Sequence, residues 1–318
     1  MNILITGACG LLGSHLTVAL SSSHKVVGVD RNPWWGDQPV NILMGELERP
    51  DFVRDIMGKV APDILIHCAA LANVDACEQD PRRAYASNAG LTRELARAAP
   101  PHCLIVYVTT DGIFMGDAPF STEQELPCPR TVYGRSKLHG EWHIMQATRN
   151  HLIVRTNFYG WSSGKKKTSA EWIYHALETG QNIILFDDFF FTPIYVVDFV
   201  FRLKLLIEGK YRGIVHLCGK ERVSKYQFGL LMAEIAGFPV QFVRRGSIDD
   251  GPLVAPRPRD MSLSTERFRQ LFGIDVPGCV DGLRHFLDDR GRPLSPRIEG
   301  LRENLPSGVD LAKHARVF

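Results

Sequence analysis

Tyr133 and Lys137 stand four residues apart in Tyr133-Gly134-Arg135-Ser136-Lys137, a short way after Val108-Thr109-Thr110-Asp111. On a helix, residues i and i+4 share a face, so this spacing sets a phenol beside an ammonium. A phenol ordinarily ionises near pH ~10, and a fixed cation within a few Å favours the phenolate, lowering that value toward neutrality. Such a phenol can act as a general acid or base. The same five residues also suit two side chains packed on a helix surface, so the chemistry depends on the elements that position them.

Those elements start at the first residues. Met1 to Thr6 is a short apolar run that reads as a buried strand; Gly7-Ala8-Cys9-Gly10-Leu11-Leu12-Gly13 follows, and a helical pattern runs through Leu16, Ala19 and Leu20. Strand, glycine loop and helix form the setting in which backbone approaches a pyrophosphate at a helix N-terminus, whereas a bare tight turn would need no ligand. The spacing is G-x-x-G-x-x-G. A second strand, Lys25 to Val29, ends at Asp30, where an acid accepts from ribose hydroxyls and repels a 2′-phosphate. Asp30 tips the expected cofactor toward NAD(H); Arg31 beside it can pair with that phosphate and keeps NADP(H) open. Cys9 reads as a small filler inside the loop.

Strands and helices then alternate: a helix from about Asp51 to Lys59, the strand Asp63 to Cys68, a helix from Pro81 to Ala99, the strand Leu104 to Thr109, the Tyr133 helix and the strand Leu152 to Arg155. The expected fold class is α/β, a Rossmann-type doubly wound parallel sheet with a smaller C-terminal α/β substrate lobe. Gly7, Asp30, Ala69, Ala70, Thr110 and Asn157 all fall at the carboxyl ends of strands and line one crevice in that fold. The expected division is a dinucleotide-binding domain over 1–160 with a returning strand near 183–200, a substrate lobe over 161–288 interleaved with it, and a tail over 289–318. In the lobe, helices are expected at Ser169 to Glu178, Asp198 to Glu208, Ser224 to Ala236 and Ser264 to Phe272, with strands Ile183 to Phe186 and Ile214 to Cys218.

Composition narrows the classes. With 318 residues, 45% of them hydrophobic and 23% charged, the chain can bury a large core. A net charge of +2 gives no footprint for nucleic acid, and no apolar run is long enough to span a membrane. The first strand opens at residue 2, so no leader is expected and the cytoplasm is the expected compartment. Seven cysteines without a C-x-x-C pair suit a reducing compartment, and with acids scattered at no ligand spacing no metal is expected. The run Lys165-Lys166-Lys167 reads as a solvated loop, within reach of substrate phosphates as the alternative.

Taken together, Gly7 to Gly13, Cys68-Ala69-Ala70, Val74 to Glu78, Tyr85 with Asn88-Ala89, Thr109 to Phe114 and Val132 to Glu141 resemble the extended short-chain dehydrogenase/reductases, and within them the dTDP-4-dehydrorhamnose reductase group. The resemblance continues through Val154 to Gly160, Phe191-Thr192-Pro193, Asp198, Gly213 to Gly219 and Arg257-Pro258-Arg259, covering about residues 1 to 288. It implies a reductase of a nucleotide-linked 4-keto-deoxysugar in which Tyr133 protonates the ketone oxygen, Thr110 is the second donor and Lys137 holds the nicotinamide ribose. It places Gly7, Cys9, Gly10, Leu11, Leu12, Gly13, Asp30, Arg31, Glu46, Leu47, Ala69, Ala70 and Asn88 on the cofactor with Tyr133 and Lys137, and Thr110, Asp111, Asn157, Thr192 and Arg257 on the substrate. It leaves room for a homodimer.

The departures bear on the sugar. Gly112 stands where the family carries an aromatic, which implies a wider pocket; Met261 replaces a smaller polar residue, Phe189-Phe190-Phe191 a more polar stretch, and Glu46-Leu47 an Asp often found at adenine. Related dehydratases carry Glu after Asp where this chain has Gly112, and related epimerase-reductases carry Cys where it has Asp111, so neither of those reactions is expected. A simple 4-epimerase needs only the triad and stays open. So does a non-catalytic reading, a dinucleotide-binding regulatory subunit like that of methionine adenosyltransferase, with the tail inserted in a partner.

Overall fold

The computed structural model describes residues 1–163 and 167–299. Of the lysine run, Lys165 and Lys166 lie outside the described residues, and Lys167 is exposed. So do residues 300–318 of the expected tail.

Seven parallel strands form the central sheet: β1 (Asn2–Thr6), β2 (Lys25–Asp30), β3 (Asn41–Met44), β4 (Ile64–His67), β5 (Leu104–Thr110), β6 (His151–Thr156) and Gly213–His216. Their order across the sheet is 213–216, β6, β5, β4, β1, β2, β3. The chain winds one way from β1 through β2 to β3 and the other way from β4 onward, so the reversal falls between β1 and β4, where loops diverge and leave a crevice. Side chains alternate through the sheet, which is why its strands read as unbroken apolar runs. Ile3 and Ile5 enter one core layer, and Leu4 between them enters the other.

The helices run α1 (Leu11–Ser21), α2 (Pro50–Val60), α3 (Val74–Gln79), α4 (Pro81–Tyr85), α5 (Leu91–Ala98), α6 (Val132–Ala147), α7 (Ser169–Glu178), α8 (Val196–Glu208), α9 (Lys225–Ala236), α10 (Glu266–Phe272), α11 (Cys279–Asp288) and α12 (Leu294–Glu299). α1 packs on α8, and α2 and α6 both pack on α5. The helix expected over 81–99 is interrupted by a π turn at Ala86–Gly90. Asn88 sits in that turn with its side chain turned inward to Leu71 and Ser136, and π turns of this kind recur where a side chain must be delivered to a site.

Two expectations about the lobe need correction. The strand that returns to the main sheet is Gly213–His216, beside β6; residues 183–200 do not supply it. Ile183–Phe186 pairs instead with Val243–Gly246, and Ile194–Tyr195 with Phe158–Tyr159, in separate two-stranded sheets. Apolar runs alone do not distinguish which sheet a strand joins. The expected tail is also folded at its start. Leu294, Arg297 and Ile298 of α12 are buried, α12 packs on α1, and the Ser295 amide and hydroxyl both donate to Asp37. Charged and glycine residues hid this short helix, whose two apolar side chains fill a gap beside α1. The lobe is fastened by an aromatic cluster in which Trp161 stacks on Phe286 at 4.2 Å and donates from Nε1 to the Phe286 carbonyl at 2.6 Å.

Candidate active site

The glycine loop between β1 and α1 is built by close backbone approach. Gly7 has φ 69°, and a Cβ at Gly13 would lie 2.1 Å from the Gly7 carbonyl oxygen, so no larger residue fits where α1 starts. Gly10 caps α1 with no side-chain hydrogen bond and no acid in the first turn. The first amides of α1, at Leu11 and Leu12, are therefore available to an anion, which is the form of site a dinucleotide pyrophosphate requires. Leu12 contributes only its backbone, because its side chain is in the core. Gly7, Cys9, Gly10, Asp30, Arg31, Leu47, Ala69 and Ala70 line one cleft; Thr110 and Asn157, expected on the same crevice, are not among its lining residues.

Three cofactor expectations land differently. Asp30 has Oδ2 occupied by the Cys9 amide at 3.0 Å and Oδ1 by the Asn32 amide at 2.8 Å, so it braces the loop as well as facing the cleft. Glu46 points to solvent, and Glu48 takes its place at the lining. Asn88 is 1% exposed; it accepts from the Leu71 amide and donates to Ser136 Oγ, whose hydroxyl donates to the Tyr133 carbonyl. It thus positions both the β4 loop and the Tyr133 helix. Arg83 and Ser87, on the helix around the π turn, line the same cleft and were missed because nothing in a helical run marks which side chains reach across a fold.

Thr131 caps α6 by accepting from the Gly134 amide at 2.9 Å, which fixes Tyr133 in the first turn. Gly134 allows this packing, since a Cβ there would meet the Gly112 carbonyl oxygen at 2.2 Å. Thr110, at the end of β5, hydrogen-bonds with the Tyr133 phenol, accepts from the Gly112 amide at 3.1 Å and donates to Asp111 Oδ1 at 3.0 Å. Asn157 donates to Asp111 Oδ2 at 2.6 Å. The structure therefore gathers Thr110, Asp111, Tyr133 and Asn157 around one point.

The electrostatics correct the first expectation drawn from the motif. Lys137 does not lower the phenol: burial pushes Tyr133 above its ordinary value, and the nearby Asp111 carboxylate adds to the rise. The ammonium is directed elsewhere, donating to the Val108 carbonyl at 3.0 Å and lying 4.1 Å from the Tyr107 ring centroid. Burial lowers Lys137 itself to about 7, against a smaller opposing effect of Glu141. Burial likewise raises Asp111 to about 6, against the hydrogen bonds from Asn157 and Thr110. A phenol held protonated suits a proton donor, since the group must carry its hydrogen when the reaction begins.

The remaining substrate expectations separate. Thr192 is fully buried and its hydroxyl accepts from the Leu263 amide, so it holds the lobe's loops together. Arg257 is committed to Asp75 of α3 at 2.9 Å, a tie between lobe and sheet domain. Gly112 and Met261, two separate departures in the sequence, come together: the Met261 sulfur lies 3.8 Å from where a Gly112 Cβ would stand. The space an aromatic would claim is thus partly taken by a thioether, so the pocket is less widened than Gly112 alone implied. Lys225, at the start of α9, is brought toward Asp111 by the lobe and was not singled out in the sequence. No group of three or more metal-ligating side chains occurs among the described residues, and none of their helices is long and apolar enough to cross a membrane.

A doubly wound parallel sheet, a glycine loop opening α1, and a Thr110, Tyr133 and Lys137 set at the end of β5 define an extended short-chain dehydrogenase/reductase. Comparison with known proteins narrows this class. The chain belongs to the family described as RmlD substrate binding domain, which it matches over residues 1–291. It is 30% identical to the dTDP-4-dehydrorhamnose reductase of Mycobacterium tuberculosis over 84% of this chain and 86% of the relative. It is 27% identical to methionine adenosyltransferase 2 subunit beta of Rattus norvegicus over 91% of this chain and 89% of the relative. Among solved structures, the dTDP-4-dehydrorhamnose reductase of Bacillus anthracis in complex with NADP superposes with a TM-score of 0.81 at 26% identity, covering 90% of this chain and 98% of that one. A nicotinamide dinucleotide is the cofactor class of this fold's neighbours, which bind NADP or NAD.

Proposed function

We propose that this chain is an NAD(P)H-dependent reductase of a nucleotide-linked 4-keto-deoxysugar. The observation that carries the reading is the pair of hydroxyls, Tyr133 and Thr110, converging at the end of β5 beside a glycine cradle suited to a dinucleotide. The names of the Mycobacterium tuberculosis and Bacillus anthracis relatives support the substrate class. A bound dihydronicotinamide supplies the hydride. The protein's share is to hold the ketone oxygen against Tyr133 and against Thr110, whose single hydroxyl hydrogen turns from Asp111 to that oxygen, so that both hydrogen bonds strengthen as negative charge develops there. Tyr133 gives up its proton to that oxygen. Asn157 holds Asp111 beside Thr110, and Lys137, seated on the Val108 carbonyl, would present its charge to the nicotinamide ribose.

Residues 1–160 with the strand 213–216 form the dinucleotide half, and 161–288 the sugar half. Asp30 supports NAD(H), while the exposed guanidinium groups of Arg31 and Arg83 on the same cleft suit the extra phosphate of NADP(H). With both Asp30 oxygens already satisfied by amides, the cleft accepts either dinucleotide. No disulfide joins any two of the described cysteines, which supports a reducing compartment and hence the cytoplasm. A homodimer is part of the proposal, with exposed Trp142 and Met145 on α6 as an apolar face for it; sedimentation of the purified chain decides it.

The likeness to the methionine adenosyltransferase subunit supports a second reading, dinucleotide binding in service of a protein partner. Turnover separates the two. dTDP-, UDP-, GDP- and CDP-linked 4-keto sugars are offered with NADH or NADPH, and oxidation of the dinucleotide is followed. Oxidation with any of them is the expected result; tight dinucleotide binding without oxidation across the panel overturns the reductase reading.

A further inference from the structure

Lys225 is a half-buried cation that the catalytic scheme does not use. It is the first residue of α9, held there by a capping box in which Ser224 accepts from the Gln227 amide and Gln227 accepts from the Ser224 amide. The strand pair Phe190–Phe191 with Val223–Ser224 sets this helix start against the aromatic run. The ammonium lies 3.4 Å from the Phe191 ring centroid and 5.4 Å from that of Phe189, so two aromatic rings seat it. Across the crevice it feels the Asp111 carboxylate, yet no direct ion pair joins them, and the ammonium has no hydrogen-bond partner among the described residues. A half-buried ammonium with unused donors gains when something else accepts from it.

The charges select what that can be. Asp111, ionised, only accepts; Lys225, protonated, only donates. An anionic substituent on a ligand would meet Lys225 well and be repelled by Asp111, and an apolar one would leave the Lys225 ammonium without an acceptor. A hydroxyl donates and accepts at once. Asp111 follows Thr110 directly, and Thr110 holds the reacting oxygen in the reading above, so the ring atom between Asp111 and Lys225 is next to the reacting carbon.

We propose, resting on that reading, that Lys225 is a specificity-determining residue that donates to the hydroxyl on the ring carbon next to the ketone, so that the site selects sugars hydroxylated there over sugars deoxygenated there. Phe191 holds the ammonium in position, and Met261 with Gly112 shapes the wall beside it.

The test uses the full chain with NADPH and two nucleotide-linked 4-keto sugars, one carrying and one lacking that hydroxyl, with wild type, Lys225→Met and Lys225→Arg. Methionine keeps an apolar stem over Phe191, and arginine keeps the charge. Expected for Lys225→Met is a KM for the hydroxylated sugar raised about 10- to 100-fold, the usual weight of a hydrogen bond to a charged group, with kcat changed less than about threefold. The deoxygenated sugar, already poor for wild type, changes little, and Lys225→Arg recovers part of the loss. A purely structural lysine would move both sugars alike. Equal KM values for wild type and Lys225→Met on the hydroxylated sugar, or equal losses on both sugars, overturn the inference while leaving the reductase reading in place. Wild type that neither binds nor reduces either sugar, by calorimetry and by NADPH oxidation, overturns the reductase reading and this inference with it.

Discussion

The two halves of the crevice are built differently. The dinucleotide half is shaped by backbone: Gly7, Gly10 and Gly13 bring the chain close to itself, and the unsatisfied amides of α1 face the cleft. The half proposed for the sugar is shaped by side chains from distant segments, Phe191 in the lobe, Lys225 on α9 and Met261 beyond it, with room left by Gly112 after β5. A backbone site tolerates almost no added atom at its glycines, whereas a side-chain site can be retuned by exchanging one contact for another. The first half is thus suited to a constant cofactor and the second to a varied substrate.

The largest contrast lies between chemistry and binding. Tyr133→Phe is expected to lower kcat by at least ~10²-fold while dinucleotide affinity, by fluorescence titration, stays within about twofold. Parallel loss of both would mean that Tyr133 supports the fold instead of giving a proton. Next comes a pair of alanines. Gly13→Ala drives a Cβ to 2.1 Å from a carbonyl oxygen and is expected to destabilise the chain by about 1–3 kcal/mol and weaken dinucleotide binding at least ~10-fold. Gly112→Ala meets its nearest atom at 3.4 Å and is expected to leave dinucleotide KM unchanged while shifting preference among sugars. If the two alanines behaved alike in calorimetry and in NADPH KM, the backbone and side-chain distinction would fail.

A smaller effect concerns the cofactor's far end. Arg31→Ala is expected to raise KM for NADPH about tenfold, the weight of one charge-assisted contact, with NADH unaffected; equal changes for both would remove Arg31 from the phosphate.

The pH response sharpens the picture of Lys137. Its folded value of about 7 lies below its ordinary 10.5, so the ammonium is lost as pH rises through about 7 in the free enzyme. Dinucleotide binding is expected to weaken above that pH, and Lys137→Arg, which keeps its charge, to flatten the decline. The same shift has the opposite sign for stability. Between about 7 and 10.5 the unfolded chain binds the proton that the folded chain has released, so the lysine's contribution to stability rises with pH across that window. Denaturant midpoints at several pH values, compared with Lys137→Met, check it.

This division also explains what could be read from the residues alone. Glycine spacing, the acid ending β2 and the Tyr133 helix are local patterns whose meaning is fixed by nearby chain; the structure places the glycines and the acid on one cleft and caps the Tyr133 helix at Thr131. The phenol's charge state differs from the motif's expectation because burial outweighs the lysine, and that burial depends on the end of β5 and on Cys77 and Ala84 as much as on α6. Lys225 and Arg83 gave no sign because a lone cation in a helical run acquires meaning only from what lies across from it. Thr192 and Arg257 carried a motif, but their hydrogen-bonding groups are taken up by Leu263 and Asp75. The π turn at Ala86–Gly90 was hidden inside a run that reads as plain helix.

The central claim, hydride addition to a ketone protonated by Tyr133, is tested most directly with deuterium carried on the reduced nicotinamide. After reaction with a dTDP-linked 4-keto-deoxysugar, the product is read by NMR. The expected result is deuterium at C4 of the product from wild type and none from Tyr133→Phe under the same exposure. Reduced sugar with C4 unlabelled, or with the label at a neighbouring carbon, would contradict it.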